Sequence, residues 1–174
     1  VIVPRKAVTE LLRFLGDEDE TVQLDMNPNH IRVSAGPWVF IAKLIDGRFP
    51  DYEKVIPASL EIHLEVNRLQ FSEILARTAI LTNEKFRGVR LVLKPGTMMV
   101  MANNPEQEEA VEEIDATYDN DNIVIGFNVT YLLEVLNVID TDEVEVSLGD
   151  ANSSALVRRP GNDTCRYVVM PMRL

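Results

Sequence analysis

Apolar and polar positions recur along this chain with two different periods. In "VIVPRKAVTELLRFL", "LEVNRLQFSEILARTAI" and "IGFNVTYLLEVLNVI" the apolar side chains fall at i, i+3, i+4 and i+7. Aligning Pro4, Asn67 and Asn128 sets Val8, Leu11, Leu12 and Leu15 over Phe71, Ile74, Leu75 and Thr78, and these over Leu132, Val135, Leu136 and Ile139. That spacing predicts three amphipathic helices, over residues 4–15, 67–82 and 128–139. Proline suits a first helical turn and asparagine can cap the orphan amides, so each helix has its own starter. A short β-like run precedes each helix, clearest in "LEIHLEV" and "NIVIGF".

Period-two segments follow each helix: "ETVQLDM", "HIRVSA" and "WVFIAKLI"; then "RGVRLVLK", "TMMVMAN" and "EEAVEEIDATY"; then "EVEVSLG", "SSALVRR" and "RYVVMPM". Their separators "NPN", "KPGT" and "GDAN" are turn chemistry. The repeating unit is therefore strand, helix and three strands, spaced by about 60 residues. Two such units can lay two helices on one face of paired antiparallel sheets, which is an α+β domain. Three units in 174 residues predict one complete domain plus half of another, with the missing half upstream of Val1. The stretch "DGRFPDYEKVIP" reads as the linker between them.

Composition adds limits. Apolar residues make up 46% of the chain, enough for a proper core, and no run approaches the roughly 20 apolar residues of a membrane span. Cys165 has no partner for an internal disulfide, which fits the cytoplasm. Without a secretory signal, the triplets beginning at Asn128, Asn152 and Asn162 read as accidental glycosylation matches. The net charge of −11 argues against nucleic acid, yet the three helices together carry +2 and the remainder −13. Lys6 and Arg13 fall opposite the apolar stripe with Arg5 on its flank. A locally positive face can still meet phosphates, because salt screens charge beyond about 10 Å. A solvated helix surface is the plainer account.

No catalytic or metal motif emerges. His30 and His63 lie in strand-like segments without ligands at metal spacing, Cys165 reads as a small core residue, and "GDEDE" and "YDNDN" read as charged turns. The glutamate-rich "NNPEQEEAVEEID" reads either as an edge strand defended by charge or as a docking edge for a basic strand. The apolar ending "CRYVVMPMRL" asks for a cover or a ligand.

"DGRFPDYEKVIP", "AILTNEKFRGVRL", "ANNPEQEEA", "IGFNVTYLLEVLN" and "YVVMPMRL" together resemble the bacterial sliding clamp family, the beta subunits of DNA polymerase III. The likeness runs from end to end. In that family three domains per chain and a head-to-tail homodimer close a ring around duplex DNA, with helices on the inner face and antiparallel sheets outside. The resemblance implies that residues 1–57 are the second half of the middle domain with its linker and that 58–174 are the third, C-terminal domain. It implies a non-catalytic processivity factor without cofactor or metal, tethering the replicative polymerase, the clamp loader and repair proteins through short linear motifs.

The resemblance further assigns Arg5, Lys6, Arg13, Arg68 and Arg77 to sequence-independent phosphate contacts. Ile80, Leu81, Phe86, Glu108, Glu109 and Glu112 become the third-domain side of the dimer seam, although Val111 stands where the family pattern has a further glutamate. Pro50, Lys54, Val55, Asn128, Tyr131, Ser154, Val168, Val169, Met170, Pro171, Met172, Arg173 and Leu174 match the hydrophobic peptide groove. Lys54 stands where arginine is common and lacks its planar fork. Two other classes stay open on the residues alone: a metal-dependent hydrolase on a repeated α+β scaffold, and a peptide-binding adaptor that never meets DNA.

Overall fold

The computed structural model describes residues 1–15, 21–57, 60–83 and 85–173. The acidic run 16–20 lies outside them. The chain divides into two compact units, Val1–Asp51 and Tyr52–Leu174.

The first unit holds α1 (Arg5–Phe14) and an antiparallel sheet of β1 (Gln23–Met26), β2 (His30–Ala35) and β3 (Trp38–Lys43), in that order. Ile31, Val33 and Leu44 form its small core, with Val3, Leu11, Phe40 and Ala42 packed against them. The helical stripe is only partly filled. Leu11 and Leu15 are half-buried, whereas Val8 is exposed and Leu12 is 76% exposed. Register gives the reason. Leu24 and Met26 of β1 lie opposite Val33 and Ile31, on the same sheet face, yet both are exposed. A helix about 10 Å across spans two strands set about 4.8 Å apart, not three, so α1 leaves β1 bare.

The second unit contains β4 (Ile62–Asn67), α2 (Arg68–Thr78) with a 3-10 turn at Ala79–Leu81, β5 (Gly88–Lys94), β6 (Thr97–Asn103) and β7 (Glu109–Asp115). It continues with β8 (Ile123–Asn128), α3 (Val129–Val138), β9 (Glu143–Leu148), β10 (Ala155–Arg158) and β11 (Tyr167–Val169). Two four-stranded antiparallel sheets result, ordered β11-β10-β9-β4 and β7-β6-β5-β8. Each repeat thus gives its leading strand to the other's sheet: β4 pairs with β9, and β8 pairs with β5. Both helices then share one core.

In α2 the predicted stripe of Phe71, Ile74, Leu75 and Thr78 is entirely buried; in α3 Leu132, Leu136 and Ile139 are buried and Val135 half-buried. The buried Thr78 hydroxyl donates to the Ile74 carbonyl at 2.7 Å, so it is satisfied within its own helix. Both asparagine caps form. Asn67 Oδ1 accepts from Gln70 N–H at 3.0 Å, and Asn128 Oδ1 from Thr130 N–H at 2.9 Å. The "KPGT" turn joins β5 to β6 with Gly96 at φ +83°, a conformation that glycine adopts without a Cβ clash.

The sheets are also tied edge to edge. Glu65 of β4 and Thr117, just past β7, exchange backbone hydrogen bonds of 3.1 and 2.8 Å. At the other end Met172 N–H donates to the Gly126 carbonyl of β8 at 2.8 Å. The strand predicted through "RYVVMPM" stops at Val169, because Pro171 offers no N–H to a ladder. Urea unfolding followed by circular dichroism should show Leu75→Ala costing about 2–5 kcal/mol and Leu12→Ala under about 0.5 kcal/mol. Equal losses would contradict this division of the core.

Candidate functional site

The C-terminal segment explains its own apolar character. Val169 is buried, Val168 half-buried, and beyond them Met170 is 61% exposed while Pro171 and Met172 are half-buried. The Ser154 hydroxyl contacts Met170 Sδ at 2.8 Å. A cleft of about 480 Å³ opens beside the segment, between Val124, Gly126, Asn152, Pro171 and Met172. Asn128 caps α3 and also reaches the Phe86 carbonyl at 3.4 Å, and Tyr131 stands exposed one turn later. Lys54 closes a single 3-10 turn, Tyr52–Lys54, and Val55 follows it, exposed. Pro50 belongs to the first unit and is exposed there. Leu174 lies outside the described residues.

The glutamate strand is an edge. Among the described residues only β6 pairs with β7, and the other side of β7 carries no strand. Its alternation divides the carboxylates: Glu109 and Glu113 point with Val111 to the solvent side, whereas Glu112 shares the helix-facing side with Ala110 and Ile114. There Arg77 of α2 meets Glu112 through two hydrogen bonds of 2.8 and 3.0 Å, Nε and Nη2 each taking one oxygen. Glu108 is held at the hairpin tip, where its N–H donates to Asn104 Oδ1 at 2.9 Å and its carboxylate accepts from Asn104 Nδ2 at 2.7 Å. Ile80 is 79% exposed, Phe86 52% exposed and Leu81 half-buried. Exposed apolar groups together with an unpaired strand edge are the elements of a protein interface.

The basic residues take different positions. Arg5 and Lys6 are exposed on α1, and Arg13, also exposed, pairs with Glu10 at 3.2 Å. A pair so accessible to water is weak and leaves Arg13 free to exchange partners. Arg68 is committed elsewhere: Nε donates to the Thr141 carbonyl at 2.7 Å and Nη1 to the Leu136 carbonyl at 3.3 Å. It thereby places a cation at the C-terminal end of α3, where the orphan carbonyls favour one. No local pattern signals that role, since it depends on a contact 68 residues away.

Cys165 is exposed in the loop before β11, not a core residue, because residues 159–164 turn away from the ladder: Asn162 N–H bonds the Arg159 carbonyl and Thr164 N–H bonds Asn162 Oδ1. His30 begins β2 in an exposed position, and His63 Nδ1 sits 3.1 Å from the buried Ser147 hydroxyl. Among the described residues no three His, Cys, Asp or Glu side chains converge as a metal site would require. Between β9 and β10, Arg158 Nη2 reaches Glu145 Oε1 at 2.6 Å and Nη1 binds Asp163. Burial pushes the Glu145 carboxyl up, but hydrogen bonds from Arg158 and Ser147 outweigh it and leave it below the usual carboxylate range.

Comparison with known proteins follows the same division. Residues 53–173 match the family model described as DNA polymerase III beta subunit, C-terminal domain, and residues 1–51 match its central domain. The chain is 52% identical over all 174 residues to the beta sliding clamp of Pseudomonas aeruginosa, covering 47% of that protein. It is likewise similar to the crystal structure of the DNA polymerase III subunit beta from Pseudomonas aeruginosa, with a TM-score of 0.96 over 100% of this chain and 48% of that one. The structure of a sliding clamp from the same organism bound to griselimycin, also 52% identical, gives a TM-score of 0.94 over 100% of this chain and 47% of that one. The chain spans about half the length of the relatives it matches.

The Arg77 hydrogen bonds hold the Glu112 carboxyl below its ordinary value, against the opposing effect of desolvation. A lowered folded value means that the pair's contribution is complete above the usual carboxylate range and is lost as pH falls through the lowered value. Carbon-13 titration of the side-chain carboxyl should therefore show Glu112 moving up in Arg77→Gln. An unmoved titration would show that the pair does not persist in solution.

Proposed function

This chain belongs to the DNA polymerase III beta subunit family, and from that premise we propose that it acts as part of a sliding clamp, a non-catalytic processivity factor of DNA replication in the cytoplasm. In the intact protein a homodimer closes around duplex DNA. The observation that carries this reading is the unpaired edge of β7, flanked by exposed Ile80 and Phe86 and fringed with carboxylates. Such an edge accepts a strand from a basic partner, adding backbone hydrogen bonds while the charges set register. Glu108 and Glu109 supply charge to that seam, with Glu112 shared between it and Arg77.

Sliding requires contacts that hold without reading sequence. Arg5, Lys6 and Arg13 are suited to this, as mobile cations on an exposed helix that bind phosphate and carry no base information. Arg77 contributes its charge beside Glu112, and Arg68 acts through the end of α3. The tail segment and its cleft form the peptide groove, in which Met170 and Met172 can repack around different linear motifs of the polymerase, clamp loader and repair proteins. Residues 1–57 serve as the half domain with its linker and 58–174 as the C-terminal domain. The bare β1 surface of the first unit fits a half domain whose other helix lies elsewhere in the intact protein.

Reversing charge with Lys6→Glu and Arg13→Glu in the intact ring should weaken DNA binding and reduce the logarithmic salt slope by about 2. An unchanged slope would remove these residues from the DNA face. Replacing Met170 and Met172 together with alanine, which keeps the Met172 backbone bond, should weaken a polymerase tail peptide by at least about tenfold in calorimetry. Unchanged affinity would place the groove elsewhere.

A further inference from the structure

Arg90 lies in the middle of β5 between the buried Val89 and Leu91, so alternation turns it to the sheet face away from the core. Register sets Met101 of β6 and Gly126 of β8 directly beside it. Around these, the same-face positions Gly88, Val92, Met99, Asn103, Val124 and Asn128 of β5, β6 and β8 include no carboxylate; the carboxylates of this face, Glu109, Glu113 and Asp115, stand on the edge strand β7. Among the described residues Arg90 has neither a side-chain hydrogen bond nor an ion pair, and the same is true of Arg173. In a chain with 28 Asp and Glu side chains against 17 lysines and arginines, two unneutralised arginines close together in a patch without carboxylates are an unmet charge.

The tail brings them together. Gly126 leaves no side chain next to Arg90, and the bond from Met172 N–H to the Gly126 carbonyl lays Met172 and Arg173 over that opening. Two clefts, of about 480 and 300 Å³, open on either side and share Arg90, Met172 and Arg173 as a common wall. Val124 and Pro171 line the first, Phe86 and Met101 the second.

We propose that this double cleft receives an acidic residue flanking the apolar anchors of a linear peptide, with Arg90 and Arg173 binding its carboxylate. The inference rests on the reading of the tail segment as a peptide groove and assigns that groove a charge preference. Arginine presents a planar fork that matches a carboxylate with two hydrogen bonds, and the surrounding methionines and Phe86 take up the apolar neighbours. An extended polyanion fits less well, because Glu109 and Glu113 stand on the same sheet face and would repel successive phosphates.

The test uses the intact protein and two fluorescein-labelled decapeptides sharing a leucine and phenylalanine anchor, one flanked by aspartate and glutamate, the other by asparagine and glutamine. Anisotropy titrations at low salt should show the acidic peptide binding about five- to tenfold tighter, a ratio that shrinks as salt rises. Arg90→Gln should bring the ratio to one and Arg90→Lys should keep part of it; if Arg90→Gln does not fold, Arg173→Gln provides the same comparison. A wild-type ratio of one, or a ratio that survives Arg90→Gln, overturns the inference while leaving the groove intact. Failure of both peptides to bind overturns the groove and the inference together. Displacement of the acidic peptide by oligothymidylate only when Arg90 is present would assign the site to nucleic acid and also overturn it.

Discussion

The second unit depends on an exchange of strands between its two repeats. Each helix is preceded without interruption by a strand, since Asn67 and Asn128 end their strands and also cap the helices. Because β4 joins the sheet of β9 to β11, and β8 joins that of β5 to β7, α2 and α3 bury their stripes in one continuous core. Sharing one core keeps apolar surface covered at a domain size where two separate cores would each be marginal. The first unit shows the alternative, in which one helix over three strands leaves Leu12, Leu24 and Met26 in water.

Strand exchange also decides where the sheets end, and the surfaces proposed for partners lie at those ends. One junction is closed by Glu65 and Thr117, the other by the tail segment on β8. The edge of β7 stays unpaired, a liability in a free domain unless a partner strand or a fringe of charge protects it. Its glutamates can do both. They discourage indiscriminate pairing and favour a basic strand, and the Arg77 pair holds one of them in place from inside the same chain.

Charge is distributed by face. Among the described residues the carboxylates sit largely on turns and strands, whereas the exposed basic groups of α1 stand on a helix. A net charge of −11 is therefore compatible with a local cationic surface, because screening limits the reach of the acidic remainder to about a Debye length. The arginines within the second unit are used more individually. Arg68 steadies the end of a helix, Arg158 holds Glu145 and Asp163, Arg77 holds Glu112, and Arg90 has no partner among the described residues.

Periodicity was enough to locate the elements. The three helices, their asparagine caps and the turn at Gly96 are local features whose physics lies within a few residues, and the structure places the helix ends within one residue of the predicted ranges, except that α2 stops at Thr78 and passes into the 3-10 turn Ala79–Leu81. Motif resemblance identified the family for the same reason, since long ordered stretches survive in one dimension. What the chain could not reveal is pairing across distance. The exchange of β4 and β8, the Arg68 contact with the end of α3, the Arg77–Glu112 bridge and the exposed Cys165 all depend on which segments meet. Alternation states which side of a strand a residue takes, but only tertiary structure decides what lies on that side, because a hydrogen-bonded neighbour is chosen by the packing of the whole core.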